Sequence, residues 1–139
     1  MKLMRYAAIA AIALTLGAQT KENYKARLSA LPADARTRAA LAGSGSLNAV
    51  FDGKTLNVNG SFEGLKSDAT TANLHSAVAA GVRGPAIAEL MVTKAASGMI
   101  TGSVPLTSEQ ATSLHKGGLY VQIQSEKAPD GVLWGWLLR

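Results

Sequence analysis

In a chain without cysteine, side-chain chemistry has to come from imidazoles, carboxylates and hydroxyls, and the first two are sparse here. There are two histidines, His75 and His115, and nine acidic residues scattered singly along the chain. Scattered carboxylates do not form the facing pair that glycosidic hydrolysis needs. No Gly-x-Ser-x-Gly elbow presents a nucleophilic serine, and no glycine-rich phosphate loop leads into a helix. His115 follows the helix-starting box Thr107-Ser-Glu-Gln110, and a positive imidazole near that helix's C-terminus is favoured by the dipole. These residue types give no positive support for an enzyme.

Binding chemistry is better represented. The run Val132-Leu133-Trp134-Gly135-Trp136-Leu137-Leu138 is apolar on both faces of an alternating strand, whereas an antiparallel sheet of a small domain keeps one face wet. Two arrangements would cover it. In one, Trp134 and Trp136 share the inner face and fill the core, with Leu133 and Leu137 against the 33–41 segment or the short helix. In the other, one side bearing Val132, Trp134 and Trp136 docks on a protein partner or a second copy, where tryptophan contributes large area with few rotamers to freeze.

The elements that position these residues are short strands. Tyr24 to Ala30 alternates apolar with polar, Leu31-Pro32-Ala-Asp34 breaks it, and Ala33 to Leu41 reads as a loop. Gly45 to Phe51 and Lys54 to Glu63 form a hairpin around a two-residue Asp52-Gly53 turn, with Leu56, Val58 and Phe62 on one face and Asn57, Asn59, Ser61 and Glu63 on the other. Thr70 to Ser76 is a further strand, and Ala77 to Gly84 is a loop. Pro85 to Lys94 and Met99 to Val104 make a second hairpin. A brief helix runs from Thr107 to about His115 and stops at Gly117-Gly118. Leu119 to Gln124 and Val132 to Leu138 close the set through a Pro129-Asp-Gly131 turn. Seven or eight antiparallel strands with one short helix predict an all-β Greek-key sandwich or barrel.

Residues 1–18 read as an export signal: Lys2 and Arg5, an apolar run from Ala7 to Leu16, then Gly17-Ala18 at the cleavage point. The run is short of the ~20 residues that span a bilayer, so no integral membrane anchor is expected after cleavage. No cysteine follows it to carry a lipid. The expected compartment is periplasmic or secreted. Residues 19–139 then make one domain, stabilised by packing and backbone pairing since no disulfide can form. The formal net charge is +5. Lys21, Lys25, Arg27, Arg36 and Arg38 are separated by apolar and small residues with few aromatics among them, which describes a solvated edge and not a nucleic-acid surface.

Two segments carry a family resemblance: Thr71-Ala-Asn-Leu-His75 through Gly84-Pro85-Ala-Ile-Ala-Glu-Leu90, and Gly118-Leu-Tyr-Val-Gln-Ile-Gln124 through Pro129-Asp-Gly131 to Gly135. Their order and spacing resemble the CHRD module, named after chordin, across Tyr24 to Leu138. The resemblance implies a secreted or envelope protein and a barrel similar in shape to the Greek-key fold of copper-zinc superoxide dismutases. It also implies a degenerate histidine site. Asn73 stands where the family has the first of two strand histidines, His75 is the second, Gln122 replaces the usual Asn and Gln124 the usual His. Val132 and Trp134 stand where Glu and Arg are usual. Copper or zinc would need three or four nitrogen, sulfur or carboxylate donors, and one imidazole with three amides is a poor set, so no metal and no other cofactor is expected. His75 is expected to hydrogen-bond across the sheet to Gln122 or Gln124. The function implied is an exported, non-catalytic interaction module, such as an accessory subunit of a periplasmic complex. The alternative is a metal-binding or redox protein with a superoxide-dismutase-like site.

Overall fold

Alternation in the sequence becomes alternation in burial. In the computed structural model, which describes residues 21–139, Tyr24, Ala26 and Leu28 of β1 (Glu22–Ala30) are buried while Asn23, Lys25 and Arg27 between them are exposed. The expected export signal lies outside the described residues. The hairpin of β2 (Ser44–Phe51) and β3 (Thr55–Glu63) repeats the pattern, with Leu56, Val58 and Phe62 inward and Asn57, Asn59, Ser61 and Glu63 exposed. Its turn sits one residue later than the Asp52-Gly53 reading. Gly53 and Lys54 occupy the centre, because the Asp52 carboxylate accepts from the Lys54 and Thr55 amides at 2.9 and 2.7 Å and so belongs to the first corner. Gly53 takes φ +97°, a backbone state that costs a side-chain-bearing residue energy.

The remaining elements are β4 (Ala69–Ser76), β5 (Ala86–Val92), β6 (Gly98–Pro105), α1 (Ser108–His115), β7 (Leu119–Ser125) and β8 (Leu133–Trp136). All strand pairs are antiparallel, and the order β1-β2-β3-β6-β5-β4-β7-β8 closes on itself as a barrel. The chain crosses over from β3 to β4 and from β6 to β7, which is the Greek-key connectivity expected. Closure removes the exposed sheet edges that invite aggregation. Leucine and β-branched side chains fill the interior, with Leu47, Leu56, Leu74, Ile100, Ile123 and Leu133 fully buried. The 33–41 segment is a succession of turns, as expected of a loop. Helix α1 starts on the expected capping box, the Gln110 amide donating to Thr107 Oγ1 at 3.2 Å and the Thr107 amide to Gln110 Oε1 at 2.9 Å. Leu114 anchors it in the core.

The helix also helps fasten the barrel's closing seam. Glu22 Oε1 accepts from the Tyr24 hydroxyl at 2.8 Å and contacts His115 Nε2 at 2.9 Å, and Oε2 pairs with Arg139 at 3.1 Å. His115 therefore serves as a clasp between α1 and β1. The Tyr24 hydroxyl first, then His115 and Arg139, hold the Glu22 carboxyl below its ordinary value against the opposing effect of burial. Because folding lowers this pKa, the anion's contribution is complete above the ordinary glutamate range and is lost as pH falls through it toward the lowered value. Acid titration of the unfolding midpoint should therefore show a decline below about pH 4.5 that is shallower in Glu22→Gln. Parallel curves for the two proteins would remove Glu22 from the acid response.

Candidate binding face

Two strands carry the candidate residues to one place. Across the outer surface of the barrel, β7 lies between β4 and β8, and the register aligns His75, Tyr120 and Trp136 in one row and Asn73, Gln122 and Trp134 in the next. Thr71 and Gln124 form a third, two-residue row. A bulge or irregularity between Leu74 and His75 interrupts the β4–β5 register. Sequence spacing of two residues therefore does place His75, Asn73, Gln122 and Gln124 on a common face.

The four residues act as fasteners. Gln124 Oε1 accepts from Asn73 Nδ2 at 3.1 Å and from the Thr71 hydroxyl, while its Nε2 donates to the Pro129 carbonyl at 3.2 Å. Gln122 Nε2 donates to the Asp130 carbonyl at 3.1 Å. His75 does not reach either glutamine. Its Nδ1 lies 2.9 Å from the Gly84 carbonyl, which can only accept, so that nitrogen carries the proton. The Tyr120 hydroxyl donates to the same carbonyl and accepts from the Gly84 amide, both at 3.1 Å. The amides thus pin the 126–131 loop, and the imidazole and phenol pin the 77–84 loop.

This arrangement does not fit copper or zinc. Only one ring nitrogen of His75 remains as a donor, and the amide oxygen of Gln124 is already shared by two partners. Among the described residues no group of three or more His, Cys, Asp or Glu converges on a point.

The tryptophans face outward. Leu133 and Leu137 take the buried positions of the last strand, while Trp134 and Trp136 lie half-buried on the outer surface. The arrangement with both indoles in the core is thereby corrected: Gly135 must point inward against β1, and alternation sends its two neighbours out. Val132, grouped with them as partner surface, is fully buried. Its amide donates to Ile123 O at 2.7 Å and its carbonyl accepts from Leu31 N at 3.1 Å, clamping it between β7 and the end of β1.

Around Tyr120 the outer face forms a second, aromatic core. The His75 ring stacks on it at 4.6 Å between centroids, Trp136 packs against it at 4.6 Å, and Trp134 meets Trp136 edge-on at 4.8 Å. The Arg83 guanidinium lies 4.5 Å above the Trp134 ring, a cation–π arrangement. The Trp136 indole N–H is buried and, among the described residues, finds no hydrogen-bond partner.

With this geometry in place, the family comparison becomes informative: a family model for the CHRD domain matches residues 24–137. The chain belongs to the CHRD domain family. No curated protein and no solved structure matches it. In this CHRD domain His75, Gln122 and Gln124 tether the two outer loops, and Val132 and Trp134 divide, Val132 inward and Trp134 outward.

Sequence reasoning missed Tyr120 as the hub, Thr71 as a partner of Gln124, and Arg83. One signal for Arg83 was available. It is the sole charged residue of the 77–84 loop, where the chain is otherwise Ala, Val and Gly.

Proposed function

We propose that this CHRD domain is an exported, non-catalytic binding module that contacts an acidic protein surface through the outer face of β8, as an accessory subunit of an envelope complex. The observation that carries the reading is the solvent-facing Trp134–Trp136 pair. Packing on Tyr120 uses only part of the two indoles: both keep ring surface exposed to solvent, and one carries an unsatisfied N–H, which costs stability. Aromatic residues of this kind are the usual energetic centres of protein contacts. Export rests on the residue pattern of 1–18.

Charge indicates the partner. Ser29 faces Trp134 and Lys25 faces Leu138 across the β1–β8 seam, so Arg27 falls opposite Trp136. Lys25 and Arg27 are exposed on one side of the aromatic pair, and Arg83 lies on the other. A two-fold pairing of this face with its own copy would bring like charges together. A basic rim around an apolar centre complements an acidic rim on a different protein.

The test compares partners recovered from the exported fraction by the wild type, Trp134→Ala and Arg27→Glu. A partner held by the wild type should weaken by about thirtyfold for Trp134→Ala, and its association with the wild type should slow as salt rises. Identical recovery by all three proteins would sink the reading. So would tryptophan fluorescence that shifts on dilution of the isolated protein, which assigns the face to self-association.

A further inference from the structure

A cleft of about 290 Å³ lies between the 31–41 turns and the 126–131 loop, with Arg83 of the 77–84 loop also in its lining. It adjoins the indole surface through Arg83, and the remainder of its lining is its own, so its binding chemistry stands whether or not that surface is a contact. Both walls are fixed. The Asp34 carboxylate accepts from the Arg36 and Thr37 amides at 2.8 and 3.0 Å and from the Thr37 hydroxyl at 3.2 Å, which locks the first wall. The second is held by Gln122 on Asp130 O, Gln124 on Pro129 O and the Lys127 amide on Ser67 Oγ at 2.9 Å. The fastening amides of the degenerate site therefore shape this cleft.

Its lining is amphipathic. Leu31, Leu41 and Ala128 supply apolar surface, and Arg36, Arg83 and Lys127 supply three cations from three different loops. Among the described residues the ion pairs are those of Glu22 with His115 and Arg139, so none of these three cations is in direct contact with a carboxylate. Arg83 is the best placed. Its guanidinium carbon lies 4.5 Å from the Trp134 ring centre, and its N–H groups, which make no side-chain hydrogen bond among the described residues, remain for an acceptor. Asp34 and Asp130 also line the cleft, so three cations against two carboxylates leave one net positive charge. That balance suits a single negative charge better than a dianion.

We propose that this cleft binds a small organic carboxylate, its charged end held by Arg36, Arg83 and Lys127 and its apolar body against Leu31, Leu41 and Ala128. The volume falls at the small end of ligand sites, enough for one ring or a short chain. The carboxylate comes either from a free acid or from the C-terminus of a peptide.

Titration of the folded protein followed by amide and arginine side-chain NMR tests this with benzoate, benzamide, inorganic phosphate, and a dipeptide with free or amidated C-terminus. Benzoate should saturate, shifting Ala40, Ala128 and the Arg83 Nε–H, and bind about tenfold or more tighter than benzamide. Arg36→Gln and Lys127→Gln, both on exposed loops away from the indoles, should each weaken benzoate by about tenfold with the remaining spectrum unchanged. Dipeptide binding that amidation abolishes assigns the site to a chain terminus, and benzoate binding alone assigns it to a free acid. Equal affinity for benzamide or phosphate overturns the proposal. So do unchanged affinities in both variants, or shifts confined to Trp134 and Trp136.

Discussion

Tyr120→Ala should cost about 3–5 kcal/mol, the range for removing a buried aromatic ring, and so a large part of a typical domain stability of about 5–15 kcal/mol. The residue is 2% exposed although it points away from the barrel interior, because β4, β8 and the 77–84 loop enclose it. Truncation removes the stacking partner of His75 and the packing partner of Trp136 together, and leaves a hole that the paired strands cannot close. Tyr120→Phe separates ring from hydroxyl. It keeps the aromatic contacts and loses the two bonds to Gly84, which water can replace at that half-exposed loop, so about 0.5–1.5 kcal/mol is expected. Denaturant unfolding should show a midpoint shift at constant m for both variants. Hydrogen exchange in the 77–84 loop should accelerate in Tyr120→Ala more than in Tyr120→Phe. Equal, small losses in the two proteins would show that the outer aromatic cluster contributes nothing to folding.

What could be read from the sequence followed the strength of local signals. The alternation of Leu56, Val58 and Phe62 against Asn57, Asn59 and Ser61 has a single burial solution, and the Thr107–Gln110 box has a single capping geometry, so both were legible. The last strand had no such solution. With Val132, Leu133, Trp134, Trp136 and Leu137 all apolar, a period of two assigns neither face, and the side the indoles take depends on β1, about a hundred residues earlier in the chain. The site was legible to the same limited extent. Spacing placed His75, Asn73, Gln122 and Gln124 together, yet apart from the bonds that Gln124 accepts from Asn73 and Thr71 their partners are carbonyls at Gly84, Pro129 and Asp130, which depend on how the loops fold back. Arg83 meets Trp134 because β4, β7 and β8 lie side by side, so its lone charge in the 77–84 loop could mark the residue but not its partner.

Gly135→Val should prevent stable closure of the barrel, and Gly135→Ala should lower stability by about 1–3 kcal/mol, the usual penalty for overpacking. A Cβ at this position would lie 2.4 Å from the Arg27 carbonyl oxygen and 3.2 Å from Leu28 Cδ2. The first contact is with backbone, so the strain cannot be relieved by a rotamer change; β8 has to move off β1. That seam is short, with Ser29 opposite Trp134, Ala30 opposite Leu133, and mutual bonds of 2.8 and 2.9 Å between Lys25 and Leu138 beyond the glycine. Separation would expose the edges of β1 and β8, and an unpaired edge favours aggregation. The expected measurements are a lowered melting temperature for the alanine variant, fast exchange of the Lys25 and Leu138 amides, and loss of soluble protein for the valine variant. Because Trp134 and Trp136 flank this residue, the alanine variant should also weaken partner binding while both indoles remain in the chain. A valine variant that folds with wild-type stability would refute the close approach of the two strands, and with it the outward presentation of the indoles on which the contact surface depends.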